Sequence, residues 1–232
     1  MPRPLRYQPK PWTVFFVTQR CFQRRFLLLP TSGVTPLIIG VLARGAELYP
    51  VRLHLVEALA NHYHLMISAP SARVLSHYLS FVAGNIAREI GRRHGWKGKF
   101  WHGRHHRAPC LDDEACLERL GYGLIQGVKE RLVSHATRWP GLQSYGALVE
   151  GQRLHGTWVD RTALGKARAK KGGAQVREAD FTRTTSSSST PSRATRGSRP
   201  PSAPLPAAKP TRTPSPATAP TASASRWAST AS

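Results

Sequence analysis

Two short runs, Val51-Arg-Leu-His-Leu-Val56 and His62-Tyr-His-Leu-Met-Ile-Ser68, alternate in character on either side of a turn at Ala60-Asn61. Alternation sends successive side chains to opposite faces, so each run reads as a half-buried strand, and strands joined this closely pair antiparallel. This hairpin constrains the fold most, because every other apolar pattern must pack around one antiparallel sheet. Trp12-Thr-Val-Phe-Phe-Val-Thr18 is β-branched and aromatic and reads as an earlier strand. Between them, Val34, Leu37, Ile38, Val41, Leu42 and Leu48 recur at helical spacing within 31–48, and Tyr49-Pro50 ends that helix. After the hairpin, Ser71 is the expected N-cap of a helix with the stripe Leu75, Leu79, Val82, Ile86 and Ile90, closed by Gly95. The stretch from Phe100 to Leu111 is basic and aromatic, with some strand character. Asp112-Asp113 caps a last helix with the stripe Leu117, Leu120, Leu124, Val128 and Leu132.

Strand, helix, strand, strand, helix, strand, helix is an α+β order. It predicts a ferredoxin-like fold, a mostly antiparallel sheet with helices packed on it. The large apolar residues nearly all fall in the first two thirds of the chain. We therefore expect one domain over residues 1–160 and a disordered basic tail over 161–232. From about Thr182 the chain is Ser, Thr, Pro, Ala and Arg, too polar to offset its ordering entropy. No acidic residue follows Asp180, so the tail either adds non-specific affinity for a polyanion or is a passive extension.

The formal net charge is +22, which makes a polyanion, and nucleic acid first, the natural partner. An anionic membrane surface is the rival, but there is no long apolar span and no basic amphipathic helix at a terminus. A solvated basic surface without a specific partner is the bland alternative. Cys21, Cys110 and Cys116 are too few and too scattered for a disulfide framework. The first residues enter no signal-type apolar core, so a cytoplasmic, nucleoid-associated location is expected.

Three constellations carry chemistry. His62 and His64 are two apart on a strand, hence on one face, and could share a divalent ion; two ordinary strand histidines would look the same. Tyr122 and Gln126 are four apart on the last expected helix and share a face away from its apolar stripe, where a tyrosine can meet a substrate or sit on the surface. The third is Lys97-Gly-Lys-Phe-Trp-His-Gly-Arg-His-His-Arg107. Cations interleaved with rings suit a single nucleic-acid strand, the cations following phosphates and the rings stacking on bases. Lys97, Lys99, Trp101, Arg104 and Arg107 are the candidates, although Phe100 and Trp101 could equally serve the core. His102, His105, His106 and Cys110 match no standard zinc spacing.

Taken in order, these features resemble the single-tyrosine HUH transposases, and among them the REP-associated tyrosine transposases. Asn61-His-Tyr-His-Leu-Met-Ile67 resembles the family's NHxHLLI strand, and Gly98-Lys-Phe-Trp-His-Gly-Arg104 its G-x-x-W-x-x-R segment. Tyr122-Gly-Leu-Ile-Gln-Gly-Val-Lys-Glu-Arg-Leu-Val133 resembles its YIHxNPVRAGLV helix, and Trp139-Pro-Gly-Leu-Gln-Ser-Tyr145 its W-P-W-S-S-Y. The likeness spans roughly Trp12 to Tyr145. It implies Mg²⁺ or Mn²⁺ on His62, His64 and Gln126, Tyr122 as nucleophile, and cleavage of single-stranded DNA beside hairpins through a 5′-phosphotyrosine link. It allows a homodimer. Two departures stand out: Leu59-Ala60 stands where the family has MP before NH, and Gln126-Gly127-Val128 replaces NPV, with Gly123 and Gly127 inside the expected catalytic helix, where each costs about 1 kcal/mol against Ala. They either free the helix to swing or mark decay. A domesticated protein that binds single-stranded or hairpin DNA without cutting it is therefore the alternative. A metal-dependent hydrolase that ignores Tyr122 is a weaker third.

Overall fold

The computed structural model describes residues 7–170 and 176–187, all within one folded unit. Strand β1 (Val14–Arg20) leads to helix α1 (Val34–Leu48), then the hairpin of β2 (Arg52–Ala58) and β3 (His62–Ser68), helix α2 (Ala72–Arg93) and strand β4 (His106–Cys110). The sheet order is β2-β3-β1-β4, every neighbouring pair antiparallel. This is the ferredoxin-like arrangement the periodicity predicts.

The expected caps form. The Ser71 hydroxyl accepts the Val74 N–H at 3.3 Å, and the Asp112 carboxylate accepts that of Ala115 at 2.7 Å. Gly95 adopts φ +60° just past α2, a left-handed conformation that glycine reaches without steric cost. One face of the sheet carries Phe15, Val17, Tyr63, Leu65 and Ile67, which bury against Ile38, Leu42, Leu79, Val82 and Ile86 of α1 and α2. The other face carries Phe16, Leu55 and Met66 and is covered by helix α3 (Asp113–Leu124).

On α3 the structure corrects the expected stripe. Leu117 and Leu132 are exposed, and the helix turns Cys116, Leu120 and Gly123 toward the sheet. Gly123 explains the roll. A Cβ there would stand 2.7 Å from Leu55 Cδ2, so the bare backbone lets the helix seat against β2. The single long helix also stops early: Ile125 (φ −106°, ψ 10°) separates α3 from the short α4 (Gln126–Lys129).

Beyond a short helix α5 (Tyr145–Val149), the chain forms strand β5 (Leu154–Val159) and helix α6 (Arg161–Lys170), and strand β6 (Thr182–Ser187) pairs antiparallel with β5. Regular structure thus continues into the segment assigned to the tail from residue 161. Leu164 is buried there, and Arg161 clamps Glu89 of α2 and Glu178. The remainder of the expected tail, past residue 187, lies outside the described residues. Among the described residues no helix is long and apolar enough to cross a membrane.

Candidate active site

The pairing register lays out the site. Across the sheet, Glu57 of β2 stands opposite His64 of β3, which stands opposite Thr18 of β1; one row away, His62 faces Arg20. All of these point to the face that α3 covers. Glu57 reaches this row through a bulge between Leu53 and Leu55. Leu53 opposite Ile67 faces the main core, whereas Leu55 opposite Met66 faces α3. Bulges re-aim side chains in this way beside functional sites.

A cleft of about 280 Å³ opens where these strands meet the helices, lined by Arg20, Arg24, Asn61, His62, His64, Tyr122, Gln126 and Glu130. The two imidazoles lie edge to face with centroids 4.8 Å apart. Each is oriented through its Nδ1. His62 Nδ1 donates to Asn61 Oδ1 at 2.6 Å, and His64 Nδ1 meets Thr18 Oγ1 at 2.9 Å. Phe16 stacks on His64 at 5.0 Å. With Nδ1 engaged, each ring keeps Nε2 for a ligand, the usual way an outer contact fixes a metal-binding tautomer. Burial holds both imidazoles below their ordinary pKa, His64 down to about 3, with neighbouring His62 and Arg20 adding to the effect. Both rings therefore stay neutral, the state that binds a metal.

Gln126 is 2% exposed at the start of α4, its Nε2 donating to Glu130 Oε1 at 3.0 Å. Its Oε1 and His64 Nε2 are buried with no hydrogen-bond partner among the described residues. Unpaired buried polar atoms cost free energy, and with the His64 proton on Nδ1 a bound cation would satisfy both. The residues thus fit a divalent ion with two imidazole nitrogens and one amide oxygen. Among the described residues no three His, Cys, Asp or Glu side chains converge, so Glu57 does not join the histidines in a metal cluster, and His102, His105, His106 and Cys110 form none.

Tyr122 sits at the end of α3 with its ring 6.1 Å from His64 and 5.9 Å from Phe16, edge-on to both. Lys129 Nζ stands over the ring, 4.5 Å from its centroid. Although the helix breaks between them, Tyr122 and Gln126 both line the cleft.

The basic segment divides. Arg104 lines a groove of about 420 Å³ with Thr18, Arg20, His102 and His106, and Arg20 also lines the cleft. Lys97 and Lys99 are exposed, the latter over the Phe22 ring. Trp101 is not a free platform for bases: its indole N–H donates to Ala83 O at 2.8 Å and its ring packs edge-on against Tyr63. Arg107 lies over the Phe15 ring and donates to Tyr7 O. Sequence reasoning missed Glu57, Thr18, Arg20 and Arg24. A carboxylate inside the apolar run Leu55-Val-Glu-Ala-Leu59 was the available signal for the first.

Trp139 to Ser144 runs along the outer edge of β2. Ser144 Oγ accepts the Val56 N–H at 2.7 Å and donates to Val56 O at 3.0 Å, and Trp139 Nε1 donates to Ala58 O at 2.9 Å. Ala58 N–H reaches Leu142 O at 2.9 Å. These bonds cap the free edge of β2, which would otherwise expose unpaired backbone groups.

No family model and no curated protein matches the chain. A solved REP-associated tyrosine transposase, bound to a REP hairpin, superposes with a TM-score of 0.54 and 18% identity over 65% of this chain and 86% of that one. At that identity the likeness shows a common fold. A chain from Deinococcus radiodurans described as a candidate transposase aligns with a TM-score of 0.38 and 17% identity over 56% of this chain and 97% of that one.

Proposed function

We propose that the protein is a transposase-like nuclease and strand transferase of single-stranded DNA, with Tyr122 as nucleophile. One observation carries this reading: a phenol, two neutral imidazoles and an unpaired buried amide oxygen share one cleft with two arginines. The fold shared with the hairpin-bound transposase supports it.

His62, His64 and Gln126 would hold Mg²⁺ or Mn²⁺, the amide oxygen suiting a hard ion and the imidazoles favouring Mn²⁺. Such an ion withdraws charge from a phosphodiester and orients it for in-line attack. Arg20 and Arg24 supply fixed positive charge for the flanking backbone. Tyr122 attacks phosphorus, forming a phosphorus–Oη bond as the bond to the 3′-oxygen breaks. The phenolic proton leaves to water, and the departing oxygen takes one to become a 3′-hydroxyl. Lys129, beside the ring, balances charge growing on the phenol. Phe16 and His64 fix the ring, limiting the motion to be frozen out before attack. Because a diester is retained, the 3′-hydroxyl of a second end can reverse the step without an external energy source.

The test is a denaturing gel of labelled hairpin-flanked single strands incubated with the full chain and Mn²⁺. A covalent adduct is expected for the wild type and absent in Tyr122→Phe. Equal adduct in both refutes the nucleophile. DNA retained in a native gel without any adduct favours the non-cleaving binder.

A further inference from the structure

We propose that Phe26 is a stacking platform for a base of the bound strand, close to the phosphate that Tyr122 attacks. The inference rests on the single-strand reading above and deepens it by naming a contact to the bases. The rings first expected to stack are committed elsewhere: Phe100 is buried, and Trp101 is held by Ala83 and Tyr63. Phe26 is the reverse case. It is 63% exposed, and among the described residues no other ring or cation rests on it. A single exposed ring needs no explanation by itself. Its setting supplies one.

The chain from Cys21 to Leu28 is stitched at both ends to the turn between β2 and β3: Cys21 N–H reaches Asn61 O and Leu28 N–H reaches Ala60 O, each at 2.8 Å. Between these anchors, Arg24 N–H returns to Cys21 O at 3.2 Å and Arg25 N–H to Phe22 O at 3.1 Å, and Leu27 N–H closes onto Arg25 O at 2.9 Å. That last bond makes a three-residue turn with Phe26 at its apex. Leu27 and Leu28 are buried behind it, so the ring projects from a backbone that is already fixed. Gln23 and Arg24 adopt φ 51° and 56°, left-handed values that side chains disfavour. Strain of this kind clusters where it sets a functional side chain, and here it delivers Arg24 into the cleft with His62 and Tyr122. Phe26 follows Arg24 by two residues, at most about 7 Å of backbone. A base that it receives therefore belongs to a nucleotide near the scissile phosphate. Arg25, over the Trp96 ring, and Lys99, over Phe22, add positive charge around the turn. Cations for phosphates beside a pre-oriented ring for a base are the components of a single-strand site.

The experiment binds a DNA hairpin with an unpaired arm to the full chain, with 2-aminopurine at each unpaired position in turn, for wild type, Phe26→Leu, Phe26→Trp and Arg24→Gln. Stacking quenches 2-aminopurine fluorescence, so the wild type is expected to dim it at a defined position. Phe26→Leu keeps an apolar side chain without a π-face and is expected to abolish that quench and weaken binding about 5–150-fold, the worth of one stacked base. Phe26→Trp is expected to keep both. The slope of log affinity against log salt should be unchanged in Phe26→Leu, which loses no charge, and shallower by about 1 in Arg24→Gln. Residue 26 is exposed, so these changes leave the fold intact. Wild-type affinity and quench in Phe26→Leu, or equal loss in Phe26→Trp, overturns the inference, as does a bound wild type that quenches no position. If Phe26→Leu turns a dimer into a monomer with the quench intact, the ring serves a second copy of the chain and the inference is overturned. Wild type that leaves the strand unbound brings down the single-strand reading itself, a result distinct from failure of Phe26 alone.

Discussion

Gly121 and Gly123 sit two residues apart on α3, and replacing each by alanine separates backbone propensity from packing. Alanine gains up to about 1 kcal/mol over glycine in a helix, and this applies similarly to both sites. At Gly121 nothing lies within 4 Å of the place an alanine methyl would take, so Gly121→Ala collects that gain. At Gly123 the same methyl meets Leu55 Cδ2 at 2.7 Å and Cδ1 at 3.1 Å. Leu55 is 1% exposed and packed with Phe16 and Met66, so it has no room to withdraw. Overpacking of this kind costs about 1–3 kcal/mol. Gly121→Ala should therefore exceed Gly123→Ala by about 1–3 kcal/mol in urea unfolding, or about 2–4 °C in Tm for each kcal/mol. Because Tyr122 neighbours the clash, Gly123→Ala should also slow adduct formation, whereas Gly121→Ala should not. Equal stabilities, within about 0.5 kcal/mol, would refute the close seating of α3 on Leu55.

Ser144→Ala should cost about 1–3 kcal/mol in urea unfolding, because it leaves the Val56 N–H buried and unpaired. Arg161→Ala should cost about 1–3 kcal/mol in the same assay: it strips Glu89 of its main partner, but Arg161 is 28% exposed and solvent moderates the loss. Burial pushes the Glu57 carboxyl up to about 8, against the opposing Gly127 N–H. Between the ordinary carboxylate value and that pKa the folded state holds a proton that the unfolded state has lost. This group's contribution to stability therefore falls as pH rises through the window, and Glu57→Gln should flatten the decline between about pH 5 and about pH 8. An unchanged slope would count against it.

What was legible in the sequence was local. The hairpin, the caps at Ser71 and Asp112 and the closing Gly95 follow from period and cap chemistry within a few residues, and the strand order follows from them. His62, His64, Tyr122 and Gln126 could be picked out because strand and helix spacing already put each pair on one face. What escaped depended on contacts distant in sequence. The bulge at Leu53/Leu55 shifts the alternation by one and sends Glu57 to His64, and no pattern within β2 announces it. The roll of α3 comes from Gly123 meeting Leu55, and Trp101 is held against the core by its bond to Ala83 and its contact with Tyr63. The polar stretch from Arg161 folds because it satisfies Glu89 and pairs with β5, neither visible in its own composition.

The cap on the β2 edge has a consequence for synthesis. The four sheet strands are complete once Cys110 has emerged, yet the residues that shield β2 follow only at Trp139 to Ser144. At ~5–20 residues/s those roughly 34 residues take about 2–7 s, during which a nascent chain presents a bare strand to its neighbours on the same message. Crowded polysomes are thus where this protein is most exposed to sticking to its own copies, and slower translation past Cys110 would widen that interval.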